Sequence, residues 1–350
     1  MNKLLLPLYA QLIYYMKSLL ILASALIFQH LLTAQNPVEL GDVHWLRDLS
    51  KAQTQSKQTG KSILILFQEI PGCSTCQRYG TVVMKHPLIV EAIETEFIPL
   101  AIHNNKAGED GRVLKLFNEP SWNNPVVRIV DANLKDITER LDGDYSPKGV
   151  TTAMIRALNN TKRPVPDYIK LLKESFSMNT KEITFGMYCF WEGEKRLGQL
   201  HGVTQTTPGF VQGHEAVKVT FDPEVISPEK LMSEARKQEC ASQVYASTED
   251  VNTLSKINPQ IKSMNHFNTD HEPQYYLMHT DYKFVPMLPI QASPINSAIA
   301  GALNPDLFLS KGQLSLLTYF KTHPGQGNPK TYQGDFLLEW NKQNTLLASR

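Results

Sequence analysis

At 350 residues the chain is long enough for two domains of ordinary size and a leader, with each half able to bury its own core. Lys and Arg number 35 against 34 Asp and Glu, with no run of like charge, which argues against a nucleic-acid partner and the basic face it needs. The four cysteines, Cys73, Cys76, Cys189 and Cys240, are too few for a disulfide scaffold, and they lack the second close pair of a zinc ribbon. One tight pair points instead to thiol chemistry that calls for neither metal nor cofactor.

Residues 1–34 read as a signal peptide. Lys17 is a short positive region, Ser18 to Phe28 an apolar core of signal-peptide length, and Ala34 a small-residue cleavage point before Gln35. Gln29 and His30 end the apolar run short of the roughly 20 residues that a spanning helix wants. Met16 is an alternative start, and an uncleaved membrane anchor is the alternative to cleavage. No cysteine lies in this region, so a bacterial lipoprotein anchor is excluded. The mature chain is therefore expected outside the cytoplasm, periplasmic or otherwise extracytoplasmic, where thiol pairs stay oxidised unless something reduces them.

Past the leader, "DVHWLRDLSKAQTQSKQ" places Trp45, Leu46, Leu49 and Ala52 on one helical face, with Asp42 as cap. Ile63 to Phe67 is a continuous apolar run that suits a strand buried on both faces. It ends at Pro71-Gly72 and runs into Cys73-Ser74-Thr75-Cys76. A helix over "HPLIVEAIETE", strands over "FIPLAIH", "NPVVRIVD" and "DITERLDG", and a closing helix over "PKGVTTAMIRALNN" complete a first domain of residues 37–160. Residues 161–180, with two prolines in "TKRPVPD" and at most a short helix, read as a linker.

A second domain, 181–310, opens on "EITFGMYCF", where Ile183, Phe185, Met187 and Cys189 share a face at period two. A helix follows Cys189. "GVTQTTPGF" reads as a turn-rich connection, "EAVKVTFDP" as a half-exposed strand, and "SPEKLMSEARKQ" as a helix with Ser227 as N-cap and Pro228 at its first position. A short strand over "SQVYAS" and a helix over "TEDVNTLSKI" make the whole an α+β sandwich of one sheet with helices packed on it. Residues 311–350 read as a helix and a loose extension.

Two places carry chemistry. A Cys-x-x-Cys pair at a strand-to-helix junction puts the first sulfur at a helix N-terminus, where free N–H groups stabilise a thiolate, and the second one turn on, within disulfide reach. A cis proline at Pro125, opening the next strand, would stack backbone against the pair. The strand "SILILFQE", the Cys73/Cys76 pair and "NNPVVRIVD" together resemble a thioredoxin-like domain. The resemblance implies Cys73 as attacking thiol, Cys76 as resolving thiol and Pro125 as the cis proline. The tryptophan usual before the pair is replaced by Gly72. A structural disulfide is the bland alternative, and a c-type haem site is excluded because Gln77 follows Cys76.

The second place is "YCFWEGE". Cys189 ends a strand and opens a helix, again where a thiol ionises most readily, and Phe190 and Trp191 can hold an apolar methyl group. The alternative is a small apolar residue among core aromatics. Glu215 begins the neighbouring strand, and a carboxyl in an apolar pocket can donate a proton at neutral pH; a solvated strand-edge glutamate is its bland reading. "CFW", "GVTQTTPGF", Gly213-His214-Glu215 and "FDPEVISPEKL" together resemble the peptide methionine sulfoxide reductase A family. The resemblance implies a compact ferredoxin-like sandwich, with Cys189 attacking the sulfoxide sulfur, Phe190 and Trp191 holding the methyl group, and Glu215 protonating the departing oxygen.

The family's longer tyrosine-bearing loop between Phe210 and Gly213 is missing, and Tyr188 stands where the family prefers glycine. "DHEPQYYL" supplies Asp270, Tyr275 and Tyr276 and fits the family's later tyrosine-rich segment. Cys240 either resolves an oxidised Cys189 or is a buried strand cysteine. The two resemblances together imply an exported oxidoreductase. Its partners are methionine sulfoxide, free or in proteins, and an upstream thiol reductant that recharges Cys73/Cys76. The alternative is a thiol–disulfide oxidoreductase with a degenerate second domain.

Overall fold

The computed structural model describes residues 36–177 and 179–348; the leader expected over residues 1–34 lies outside the described residues. No helix among the described residues is long and apolar enough to cross a membrane. Two sheets organise the chain. The first is built on β1 (Ile63–Gln68), parallel to β2 (Ile98–His103) and antiparallel to β3 (Val126–Val130), in the order β2-β1-β3. All six residues of β1 are buried, and its two faces feed two cores. Ile63, Ile65 and Phe67 pack against α1 (Leu49–Thr59) and α4 (Glu109–Leu116). Leu64 and Leu66 face α3 (Pro87–Glu96) and α5 (Pro147–Asn160). An apolar run without alternation is what burial on both faces demands.

Three expectations for this half change. The first helix starts at Leu49, because Asp48 caps it by accepting the Lys51 N–H, while Leu46 hydrogen-bonds to β2 in extended form through Pro99 and Ala101. "DITERLDG" is no continuous strand. Ile137 and Leu141 reach β3 at two separate points, and Arg140 turns with Arg128 onto the buried Glu119.

The third concerns residues 161–180, expected as a linker. They carry α6 (Asp167–Ser175), whose Tyr168, Ile169 and Leu172 lie in the first core. The C-terminal stretch returns to the same core. α12 (Lys311–Thr322) and α13 (Phe336–Ala348) bring Leu316, Phe320, Phe336 and Trp340 into it, and Gly312 donates its N–H to Glu91 on α3. Phe336 and Trp340 recur at i and i+4, a helical signal that the Gly- and Pro-rich approach at residues 324–329 masks in the sequence. The described residues from Glu39 onward thus form one compact unit.

The second sheet places β4 (Lys181–Gly186) between β6 (His214–Phe221) and β7 (Gln243–Ala246), with the two-residue edge strands β8 (Lys262–Ser263) beside β7 and β9 (Asn268–Thr269) at the far edge beyond the partner of β6. "GVTQTTPGF" belongs to a nine-residue strand, β5 (Val203–Val211), not to a turn-rich connection. Its valines and threonines favour a pleated surface. The Pro208 carbonyl accepts the Asp270 N–H on the side of the two-residue edge strand, where a missing ladder N–H is tolerated. β5 and β6 are joined by Gln212 and Gly213 alone, at φ 52° and 81°, the paired left-handed backbone of a two-residue hairpin. α7 (Phe190–Leu197) and α8 (Pro228–Lys237) pack on this sheet, and Ser227 caps α8 as expected.

Candidate active sites

The chain leaves β1 through Pro71 and Gly72 and enters α2 (Ser74–Arg78) with Cys73 as N-cap. A Cβ on Gly72 would lie 2.5 Å from the Glu69 carbonyl and 2.6 Å from the Cys76 Cβ, so no side chain fits at the position where Gly72 replaces the usual tryptophan. Cys73 is exposed and Cys76 is buried one turn on, with their sulfurs 3.5 Å apart. The Cys73 sulfur makes no capping hydrogen bond, yet the Cys76 N–H and thiol beside it hold its pKa below the usual thiol value. Burial, then the neighbouring Cys73, pushes Cys76 up to about 12. The Cys76 thiol donates to Asn124 Oδ1 at 2.6 Å, and the Asn124–Pro125 peptide is cis. Buried Gln68 ties the turn together by donating to the carbonyls of Glu39 and Cys76. The result is one accessible, easily ionised thiol and one protonated thiol behind it, the division of labour that disulfide exchange uses. Among the described residues, Glu69, Cys73 and Cys76 also offer three possible metal-ligand atoms within 4.8 Å of one another.

The second thiol sits at the end of β4. Register places Gly186 opposite Ala216 of β6, and the Met187 N–H donates to the Glu215 carbonyl. Tyr188 projects into solvent at 98 % exposure, and Cys189 is half-buried as the N-cap of α7. The thiol does not cap the helix. Glu215 does, its Oε2 accepting the Phe190 N–H at 2.8 Å. The strand pairing therefore delivers the expected carboxyl to the residue next to Cys189.

Aromatic rings surround this position. Phe190 meets Trp191 edge-on at 5.7 Å and Phe210 at 5.5 Å. Trp191 stacks on Tyr275 at 4.0 Å, and its buried indole N–H has no partner among the described residues. Phe210 and Tyr275 were not singled out with Phe190 and Trp191. The signal for Tyr275 was the "QYYL" run, which has no sequence proximity to the thiol. Glu194, fully buried, accepts the Gln274 N–H at 2.9 Å, and burial pushes its carboxyl up to about 8.

Cys240 lies buried in the core of the second sheet, its thiol donating to the Gln238 carbonyl at 3.3 Å and pushed up by burial. Arg196 of α7 donates to the same carbonyl. All four cysteines are free, and no hydrogen bond among the described residues joins Cys240 or the Cys73 pair to Cys189.

The model of a thioredoxin-like family matches residues 44–132. The mitochondrial peptide methionine sulfoxide reductase of Mus musculus is 33% identical over 128 residues, spanning 31% of this chain and 50% of its own. The peptide methionine sulfoxide reductase MsrA of Escherichia coli O157:H7 is 37% identical over 112 residues, spanning 27% and 47%. The chain carries a thioredoxin-like domain and is homologous to peptide methionine sulfoxide reductases. It spans about half the length of the curated relatives it matches. Among solved structures it aligns with the DsbH oxidoreductase at a TM-score of 0.29 and 16% identity, covering 37% of this chain and 92% of the other. With methionine sulfoxide reductase A of Corynebacterium diphtheriae the TM-score is 0.26 at 17% identity, covering 33% and 82%.

Proposed function

We propose that the chain is a thiol-dependent oxidoreductase that reduces methionine S-sulfoxide at Cys189 and is recycled by its own Cys73–Cys76 dithiol, after export directed by residues 1–34. The observation that carries this reading is the Glu215 carboxyl group on the Phe190 N–H, 2.8 Å away and one residue from the thiol. Cys189 attacks the sulfoxide sulfur, Glu215 passes a proton to the departing oxygen, and the aromatic walls of Phe190 and Trp191 hold the methyl group. The balance is thiol plus sulfoxide giving sulfenic acid plus thioether, a two-electron oxidation of Cys189.

A thiol then condenses with the sulfenic acid, releasing water and leaving a disulfide. Exchange with the dithiol moves that oxidation to Cys73 and Cys76, and an upstream thiol reductant removes it. Cys73 has the exposure and lowered pKa of the attacking thiol in that exchange. Holding the dithiol in the same chain raises its effective concentration over that of a free reductant. The substrate is methionine sulfoxide, in proteins or free.

Purified protein assayed with dithiothreitol and each enantiomer of a methionine sulfoxide is expected to turn over the S form alone, and Cys189→Ser to lose it. The two-residue turn at Gln212–Gly213, too short to carry a substrate loop, favours a second reading: disulfide exchange at Cys73 with a non-catalytic second half. Insulin reduction that depends on Cys73, with no sulfoxide turnover, would select it.

A further inference from the structure

The dithiol has a neighbour that disulfide exchange does not need. Glu69, the first residue after β1, is half-buried, and its carboxylate makes no hydrogen bond or ion pair among the described residues. Its charge opposes a thiolate at Cys73 instead of supporting one. A carboxylate kept beside two thiols with no cation to balance it is the arrangement that a metal ion would complete. We propose that Glu69, Cys73 and Cys76 are the three protein ligands of a site for a thiophilic divalent cation of the zinc class, formed only by the reduced dithiol.

The donor set selects that class. Two sulfurs and one carboxylate oxygen suit zinc, whereas magnesium and calcium take oxygen donors throughout. The geometry agrees. One ligand atom from each residue lies within 4.8 Å of the others, and the two sulfurs are 3.5 Å apart. A tetrahedral ion with metal–sulfur bonds of about 2.3 Å spaces its sulfurs about 3.8 Å apart, so the pair holds nearly that spacing before an ion arrives. Rotation of the half-exposed Glu69 side chain brings in the oxygen.

The turn that carries the ligands is tightly built. Gly72 has no room for a Cβ between the Glu69 carbonyl and the Cys76 Cβ, and Gln68 holds the Cys76 carbonyl from below. The Glu69 N–H also bonds to the Cys76 sulfur. Cys73 is exposed, which leaves the fourth coordination position open to solvent. Binding moves protons and no electrons. The cation replaces the protons of the two thiols, including the one that Cys76 donates to Asn124, and both leave to solvent. The disulfide form offers no thiolate, so oxidation of the pair expels the ion, and a bound ion keeps Cys73 from attacking a disulfide. This site stands whether or not Cys189 reduces sulfoxides.

The test uses the full-length protein, reduced with a phosphine, desalted without oxygen and titrated with Co²⁺, which Zn²⁺ then displaces. Tetrahedral cobalt bound to thiolate shows visible d–d bands and a near-ultraviolet sulfur-to-metal band. Wild type and Cys189→Ser are expected to saturate at one equivalent, while Cys76→Ser and the disulfide form show neither band. Glu69→Gln removes the charged oxygen ligand, and its cobalt affinity should fall at least about 10-fold with an unchanged circular dichroism spectrum. Absence of the tetrahedral bands in reduced wild type overturns the proposal. So do bands that survive oxidation of the dithiol, and so does Glu69→Gln binding as tightly as wild type, which would leave the dithiol as the whole site.

Discussion

The two thiol sites share one local plan and differ in where the first helical N–H groups go. Cys73 and Cys189 each follow a buried strand and each caps a short helix by backbone position alone, with no side-chain cap bond. At Cys73 the N–H of Cys76 turns toward the sulfur, lowers its pKa and leaves it exposed beside a second thiol. At Cys189 the first N–H is taken by Glu215, which installs a carboxyl beside a half-buried thiol among aromatic rings. The same strand-to-helix junction thus serves electron exchange when its amides face sulfur. It serves oxygen removal when a neighbouring strand supplies an acid.

This contrast can be broken experimentally. The largest effect is expected inside the dithiol. With Cys76 pushed up to about 12 and buried, and Cys73 lowered and exposed, iodoacetamide at neutral pH should modify Cys73 at least about 10³-fold faster than Cys76. Comparable rates, read by mass spectrometry of the reduced protein, would remove the asymmetry on which the exchange role depends.

Next comes Glu215→Gln, which keeps an acceptor for the Phe190 N–H but cannot give up a proton. Sulfoxide turnover should drop about 10²-fold while insulin reduction is unchanged. A parallel loss of both activities would mean that Glu215 holds structure rather than moves a proton.

The smallest effect concerns stability. Burial pushes the Glu194 carboxyl up to about 8 in the folded protein, against an ordinary 4.5. The stability this contributes is fully present below about pH 4.5 and is lost as pH rises through 8. The stability of wild type relative to Glu194→Gln should therefore decline between pH 5 and 8.5 in denaturant titrations. A difference that does not vary with pH would show that the buried carboxyl is ionised throughout.

Much of this architecture was legible because its signals are local. The run from Ile63 to Phe67 announced a strand buried on both faces, Ser227-Pro228 a helix start, and the register of Ile183 to Cys189 a junction with Glu215 beside it. What escaped depends on contacts far apart in sequence. Tyr275 lies 84 residues from Trp191, and contacts distant in sequence, among them those of buried Glu194 and Asn296, bring its segment to the thiol. Thr204, Thr206 and Thr207 looked like turn residues around a proline, yet pairing with β6 made them strand. The prolines at 164 and 166 signalled a linker, but α6 begins immediately after them and its apolar face was needed by a core already formed upstream.

The return of α12 and α13 to the first core has a consequence for how the molecule is made. Domains ordinarily fold as they emerge, the N-terminal one first. Here Phe320, Phe336 and Trp340, more than 150 residues beyond α5 in the chain, close the core beneath β1 and the dithiol. The first half therefore cannot finish packing ahead of the second, and the dithiol sits on a completed core only after the second sheet has been made.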